Sequence, residues 1–372
     1  MLNSQIHKRI SFNFEKQKLI LDSSRLLFSF AKIDDGTRVL LNSLRKNSEL
    51  NYKKVLDLGC GYGIIGIFLK RSHQNSEILC ADRDSLAVEF TKHNAQLNNV
   101  KIDAMPSLDF ENIKEKFNLI ICNFPAKLEK NGLKYFIEKS SEFLEKNGVL
   151  SLVIVKELNE EMQEILKDES IMVQFKDKAN GYFIYHLKFN KKIVPEDFSY
   201  YTDSLEINLD NKGLNFKTTD ALREFDTPHF ITELIIDLLD NKNLNKISII
   251  NPNQGMISVA VSEICKPKEI KLISRDLLQL KVSAENLSQN DFNNLKTENS
   301  DFIEDKTDLV VWSTQEEDFK EVSEKLELLS KNCKNFILGG KNSLIKQVLK
   351  SKNISPKKIL QKGKYCAAKF QF

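Results

Sequence analysis

The stretch VLDLGCGYGIIGIF, Val55–Phe68, decides how this chain is read. An apolar strand runs into Gly59, Gly61 and Gly63, and an apolar helix follows at once. Glycines there allow positive φ and a close approach of backbone to a ligand. Strand, glycine turn and helix in that order belong to a doubly wound α/β sheet. Two acids flank the turn. Asp57 lies just before it and suits a ligand with a cationic amino group. Asp82 ends the next apolar run, EILCAD, where a carboxylate can accept both hydroxyls of a ribose. A dinucleotide site reads GxGxxG and sets pyrophosphate on the helix N-terminus. Here the spacing is GxGxG, and the acids describe a nucleoside with an amino-acid end.

Outward from that loop, apolar runs of strand length alternate with helical patterns: KVLDLG, EILCAD, FNLIICN, GVLSLVIV and YFIYHLKF, separated by segments such as SLAVEFTKHNAQLN. This alternation predicts a mostly parallel sheet with helices on both faces. The series then restarts with KISIIN, EIKLIS, TDLVVWS, KNFILGG and YCAAKFQF. Placing Lys54 on Lys246 sets Glu77, Ile78, Arg83, Asp84, Leu86, Asn94 and Asn98 on identical residues. Identities at one constant offset point to an internal duplication. The copies divide near Lys191–Tyr200, where Pro195 and charge break the pattern, giving domains 1–190 and 191–372. The second copy has lost its polar ligands. Asp57 is met by Ile249, Gly59 by Asn251, Gly61 by Asn253 and Asp82 by Ser274, and only Gly255 keeps its place.

The pattern D-x-G-x-G-x-G resembles motif I of the class I S-adenosylmethionine (SAM) methyltransferases. Upstream, the segment F-S-x-x-x-I-D-x-G-T-x-x-L, with Phe28, Ser29 and Asp34, resembles the opening segment of the small-domain methyltransferases, which include the ribosomal RNA guanine-N2 enzymes. The likeness spans about residues 10–190. It implies two tandem Rossmann-like seven-stranded methyltransferase domains, the second degenerate. It implies SAM as cofactor, with Asp57 at the methionine amine, Gly59, Gly61 and Gly63 beside it, and Asp82 at the ribose. Arg83 and Phe28 join that site, and Ser107, with Asp109, falls where adenine contacts are expected.

Amino-methylating enzymes of this fold carry Asn or Asp, Pro-Pro and an aromatic residue after the fourth strand. This chain has Asn123, Phe124, Pro125 and Ala126. A base amino group is a poor nucleophile because its lone pair is delocalised into the ring. The Asn123 side-chain oxygen and the Phe124 carbonyl can each accept one N–H and turn the lone pair toward the methyl group. Pro125 stiffens the turn. With Ala126 in the aromatic position, Phe124 is the alternative residue for stacking on a base. The expected substrate is an exocyclic amino group of a base in structured RNA, ribosomal or transfer. A guanine ring nitrogen in tRNA and a protein glutamine stay open as enzyme alternatives, and a non-catalytic RNA-binding protein as an alternative of another class. In the family's paired form the degenerate copy precedes the active one; here it follows.

Bulk properties bound the rest. The 372 residues suffice for two domains, with 41% hydrophobic and 29% charged residues. No apolar run is long enough to span a membrane, and the first residues are too polar for a secretory signal. Six scattered cysteines without a CxxC pair read as reduced core residues of a cytoplasmic protein, with no metal site. The net charge of +3 neither requires nor excludes RNA. Lys127, Lys130 and Lys134 follow the target loop and read as a solvated helix face, with phosphate contact as the alternative. The five histidines show no metal spacing, and His93 reads as a surface or core residue. Oligomeric state is left open, a monomer being compatible with everything above.

Overall fold

A computed structural model describes residues 2–125, 129–195, 198–209, 212–241, 244–301 and 305–372. The chain forms two compact units, Met1–Ser199 and Tyr200–Phe372. Each holds one seven-stranded sheet. In the first unit the sheet order is Asp103–Pro106, Glu77–Asp82, Lys54–Leu58, Phe117–Asn123, Leu144–Val155, Tyr182–Phe189 and Ile171–Ala179. Numbered along the chain, that order is 3-2-1-4-5-7-6. Strand 7 runs antiparallel to its neighbours, and the first five strands are parallel to one another. The second unit repeats the order with Leu295–Glu298, Glu269–Ile273, Lys246–Ile250, Leu309–Ser313, Asn335–Lys341, Tyr365–Gln371 and Lys358–Lys362. Both units are therefore Rossmann-like α/β domains.

The alternation of side chains along each strand builds two cores per unit. Val55, Leu119 and Ile121 face one, with Ile65 and Ile67 of the helix Ile64–Ser72. Leu56, Ile120 and Cys122 face the other, with Leu133 and Phe136 of the helix Glu129–Phe143. Covered on both faces, the central strands read as continuous apolar runs, as parallel strands should. All six cysteines are free and buried.

An antiparallel hairpin precedes each sheet: Lys8–Phe14 with Gln17–Ser23, and Asp203–Leu209 with Lys212–Thr218. The sequence reading assigned no element there. The first hairpin turns at Glu15, which takes φ 53 without a glycine to announce it. Its alternation is short, burying Ile10 and Phe12 on one strand and Leu19 and Leu21 on the other.

Candidate functional site

Strands 1 and 4 of the first unit are neighbours, while their connections leave in opposite directions along the sheet. This switch point is where an open α/β sheet leaves a crevice at its carboxyl ends. The glycine turn after Leu58 and the loop after Asn123 both open there.

The turn is held by backbone. Gly59 and Cys60 donate to the carbonyl of Ala81 at 2.8 and 3.1 Å. Gly59, Gly61 and Gly63 take φ of 76, 57 and 88°. A Cβ placed on Gly59 or Gly61 would meet nothing within 4 Å, so open space lies beside the turn. Gly63 is different: its Cβ would stand 3.0 Å from Thr91, whose hydroxyl holds the Gly61 carbonyl at 2.9 Å.

Asp82 ties strand 2 to that turn. Its Oδ2 accepts the Gly61 N–H at 2.9 Å, and its Oδ1 accepts the Asp84 N–H at 3.0 Å. Asp84 in turn caps the helix Ser85–Leu97. Arg83 sits half-buried between them. Asp57 lies on the strand face that carries Val55, so its carboxylate turns inward, toward the helix Ile64–Ser72. It is 1% exposed, and its Oδ2 accepts the Gly66 N–H at 2.9 Å. Burial first, and the nearby Asp82 charge, push its pKa up to about 7. Gly66 was not singled out from the sequence, although IIGIF offered it. A Cβ there would collide with Cys80 Sγ at 2.4 Å and crowd the Asp57 carboxylate.

Ser107 is buried and spends its hydroxyl locally, donating to the Asp109 carbonyl at 2.7 Å and accepting the Asn112 N–H at 3.2 Å. It shapes the turn after strand 3, where Asp109 takes φ 45. Phe28 is 76% exposed. Its neighbour Ser29 accepts the Tyr62 hydroxyl on its carbonyl at 3.2 Å, which fastens this segment to the glycine turn.

Asn123 ends strand 4, half-buried. Its Nδ2 donates to Asp34 Oδ2 at 2.9 Å and to Thr37 Oγ1 at 3.3 Å. Asp34 also caps the helix Asp35–Lys46 by accepting the Thr37 N–H. Tyr182, from the start of strand 7, brings its ring beside Gly36 and Asp34. Burial first, and then Asp34, raise its pKa. A Cβ on Gly36 would lie 2.8 Å from Asp34 Oδ2 and 3.0 Å from both Asn123 Oδ1 and Tyr182. No sequence signal marked Tyr182, which the fold brings in from 59 residues away.

Phe124 corrects one expectation. Its ring is buried and packs on Phe136 at 5.4 Å, so it belongs to the core and does not stack on a base. Its N–H is bonded to the Val153 carbonyl at 3.0 Å. Pro125 is exposed. Ala126 and Lys127 lie outside the described residues, as does the side chain of Lys130. Lys134 pairs with Glu138 one turn along its helix at 3.8 Å. His93 reaches the buried Asp22 at 2.8 Å and is a structural link. No described helix is long and apolar enough to cross a membrane.

Comparison with known proteins adds to this geometry. A family model, the methyltransferase small domain, matches residues 18–186. Ribosomal RNA small subunit methyltransferase C of Psychromonas ingrahamii is 31% identical over 162 residues, 42% of this chain and 46% of that protein. The uncharacterized protein YbxB of Bacillus subtilis is 30% identical over 186 residues, 48% of this chain and 90% of that protein. The chain thus spans less than half the length of the ribosomal RNA relative. Among solved structures, the T. thermophilus 16S rRNA N2 methyltransferase RsmC, determined with AdoMet and guanosine, superposes over 99% of both chains with a TM-score of 0.67. At 12% identity that likeness concerns the fold.

Proposed function

The chain belongs to the methyltransferase small-domain family, and we propose that its first unit is a SAM-dependent methyltransferase acting on an exocyclic amino group of a base in structured RNA. When bound, SAM would supply an electrophilic methyl carbon on a sulfonium, with the sulfur able to take the C–S electron pair as the amine lone pair attacks. The observation that carries the reading is the placement of Asn123 at the strand 1–4 switch point, one strand from an open glycine turn. The residues present fit the cofactor. The open side of Gly59 and Gly61 admits a ligand against backbone, and Asp82 ends its strand where ribose hydroxyls are taken; the inward-turned Asp57 would act on a cationic amine through its charge, once ionised, rather than by direct contact. Asn123 Oδ1 and the Phe124 carbonyl accept the two N–H groups of the target, which aims its lone pair. The proton lost after transfer leaves to water, since the methylated amine is acidic enough to need no strong base.

The relatives named as ribosomal RNA methyltransferases favour RNA over protein as substrate. The second unit, whose matching strand order and constant-offset identities support origin by duplication, supplies RNA affinity rather than chemistry. Labelled methyl transfer from SAM to total RNA and to total protein, followed by nucleoside analysis, tests the reading. A methylated exocyclic amine in RNA supports it. Label in protein, or on a ring nitrogen, replaces the substrate; no transfer to either refutes catalysis.

A further inference from the structure

The carboxamide of Asn123 has two ends of similar size, and only one can serve a target amine. An oxygen facing the amine accepts its N–H; an NH2 in the same place opposes donor to donor and turns the amine away. Something must hold the amide the right way round, and the chain supplies it. Nδ2 is fixed by Asp34 Oδ2 at 2.9 Å and Thr37 Oγ1 at 3.3 Å. Asp34 is itself immobilised at the first turn of the helix Asp35–Lys46, where the Thr37 N–H also reaches its Oδ2 at 3.2 Å. Asn123 Oδ1 takes no hydrogen bond from a described residue.

We propose that Asp34 is a positioning residue that fixes the orientation of the Asn123 amide, leaving Oδ1 as the acceptor for the target amine. This rests on the methyltransferase reading above. Asp34 then has two duties, helix cap and amide clamp, and the second is the functional one. The clamp also acts electronically. A carboxylate hydrogen-bonded to Nδ2 polarises the amide and makes Oδ1 a stronger acceptor as positive charge grows on the attacking nitrogen. Gly36 belongs to the device, because any side chain there would press on both Asp34 and Asn123.

The two duties separate by substitution. Serine caps a helix about as well as aspartate, yet its shorter side chain cannot reach Asn123. Asparagine keeps both the cap and an acceptor oxygen at full length. In the full-length protein, Asp34→Ser should lower kcat on RNA about 10–100-fold, the scale of a misplaced catalytic group, with SAM affinity and Tm nearly unchanged. Asp34→Asn should restore most of the loss. In an Asn123→Ala background, Asp34→Ser should add nothing, since the amide it orients is gone. A second readout needs no substrate. The Asn123 side-chain NH2 resonance, assigned by its loss in Asn123→Ala, should shift upfield in Asp34→Ser as the carboxylate bond is removed. An unmoved resonance overturns the clamp whatever the enzyme acts on. So does additivity with Asn123→Ala, or equal loss in Asp34→Ser and Asp34→Asn. If the unaltered chain transfers no methyl group to RNA or protein, the activity is what fails, and the resonance still decides the orientation.

Discussion

The two glycine turns of this molecule hold nearly the same backbone with different side chains. Gly59, Gly61 and Gly63 take φ of 76, 57 and 88°; Asn251, Asn253 and Gly255 take 55, 52 and 90°. Asparagine tolerates the left-handed region better than most residues, but only near φ 50–70°. At the first two positions the intact turn has open space beside it, so a side chain can enter. At the third it cannot. A Cβ on Gly255 would stand 3.0 Å from the backbone of Ser283, as one on Gly63 would from Thr91. Hence the worn loop keeps one glycine, and it is the one required by packing rather than by a ligand.

The asparagines then occupy the space that the first unit leaves open. Asn251 Nδ2 donates to the Ser313 carbonyl at 3.0 Å and to Glu317 at 2.9 Å. Asn253 is buried, and its N–H reaches Gln279 Oε1 at 3.3 Å. Lys325 pairs with Asp301 at 2.8 Å over the ring of Trp312. Internal contacts thus line the second turn.

The identities that survive explain what selection kept. Asn94 accepts the Asp22 N–H and donates to the Asp22 and Tyr62 carbonyls; Asn286 does the same with Lys217 and Gln254. Asn98 and Asn290 repeat a shorter version one turn on. Asp84 and Asp276 cap matching helices. These residues fasten the hairpin and helix to the turn. Even the strand 4 ends stay level: Phe124 N–H meets the Val153 carbonyl, and Thr314 N–H meets Gly339.

The largest difference between the units should be catalytic. Asn123→Ala is expected to cost on the order of 10²–10³ in rate while sparing SAM binding, the scale of one positioned polar group. Ser313→Ala, its counterpart, should cost nothing. Single-turnover methyl transfer measures both, and full turnover in Asn123→Ala would end the assignment of this loop. Next comes cofactor affinity. Asp82→Ala removes a charged acceptor worth about 1.5–3 kcal/mol, roughly 10–100-fold in Kd. Ser274→Ala should leave it unchanged. Calorimetry should give one site per chain, and two sites would place a ligand in the worn turn as well.

A smaller contrast is pH. The Asp57 carboxyl, with a pKa of about 7, is protonated below neutrality in the free protein, whereas an unfolded Asp ionises near 4. Between those values the folded chain binds the extra proton, so this group's contribution to stability falls as pH rises. A cationic amine favours the ionised form, so SAM affinity should rise with pH up to about 7 and then level. Binding at pH 6 should release protons, seen as a calorimetric enthalpy that varies with buffer. Asp57→Asn should flatten both. Ile249 gives the second unit no such term, and a pH-independent Kd in the unaltered chain would remove Asp57 from the ligand.

Much of this contrast was legible in the sequence. Apolar runs on a constant offset gave the two sheets, and the loss of Asp57 and Asp82 located the difference. The hairpins were not legible, because their alternation is short and the first one turns at Glu15 without a glycine. Nor were Tyr182, or the role of Asp34 beyond a motif match, because a cluster assembled from strand 4, strand 7 and an early helix has no sequence spacing to read. The direction of the Phe124 ring, on which the stacking alternative turned, was not legible because an aromatic beside a proline says nothing about which way its ring turns; the strand's period sends it inward, with Ile120 and Cys122.

The smallest expected effect tests whether the worn turn is really held in the intact turn's shape. Asn253 has φ 52 and Gly61 has φ 57. Replacing Asn253 by glycine or by alanine removes the same side-chain contacts, so the difference between the two variants isolates the backbone. Alanine in the left-handed region costs about 1–2 kcal/mol, partly offset by the lower entropy of its unfolded chain, about 0.4–1 kcal/mol. Asn253→Ala should therefore be less stable than Asn253→Gly by about 1 kcal/mol. The chain has one tryptophan, Trp312, fully buried in the second unit, so its fluorescence in urea reports the unit that carries Asn253. Gly61→Ala in the first unit should cost a similar amount, since its Cβ would meet no neighbour within 4 Å; circular dichroism follows that variant. Equal stability of Asn253→Ala and Asn253→Gly would mean that the second turn does not keep the left-handed backbone, and that loss of ligands there was followed by loss of the turn itself.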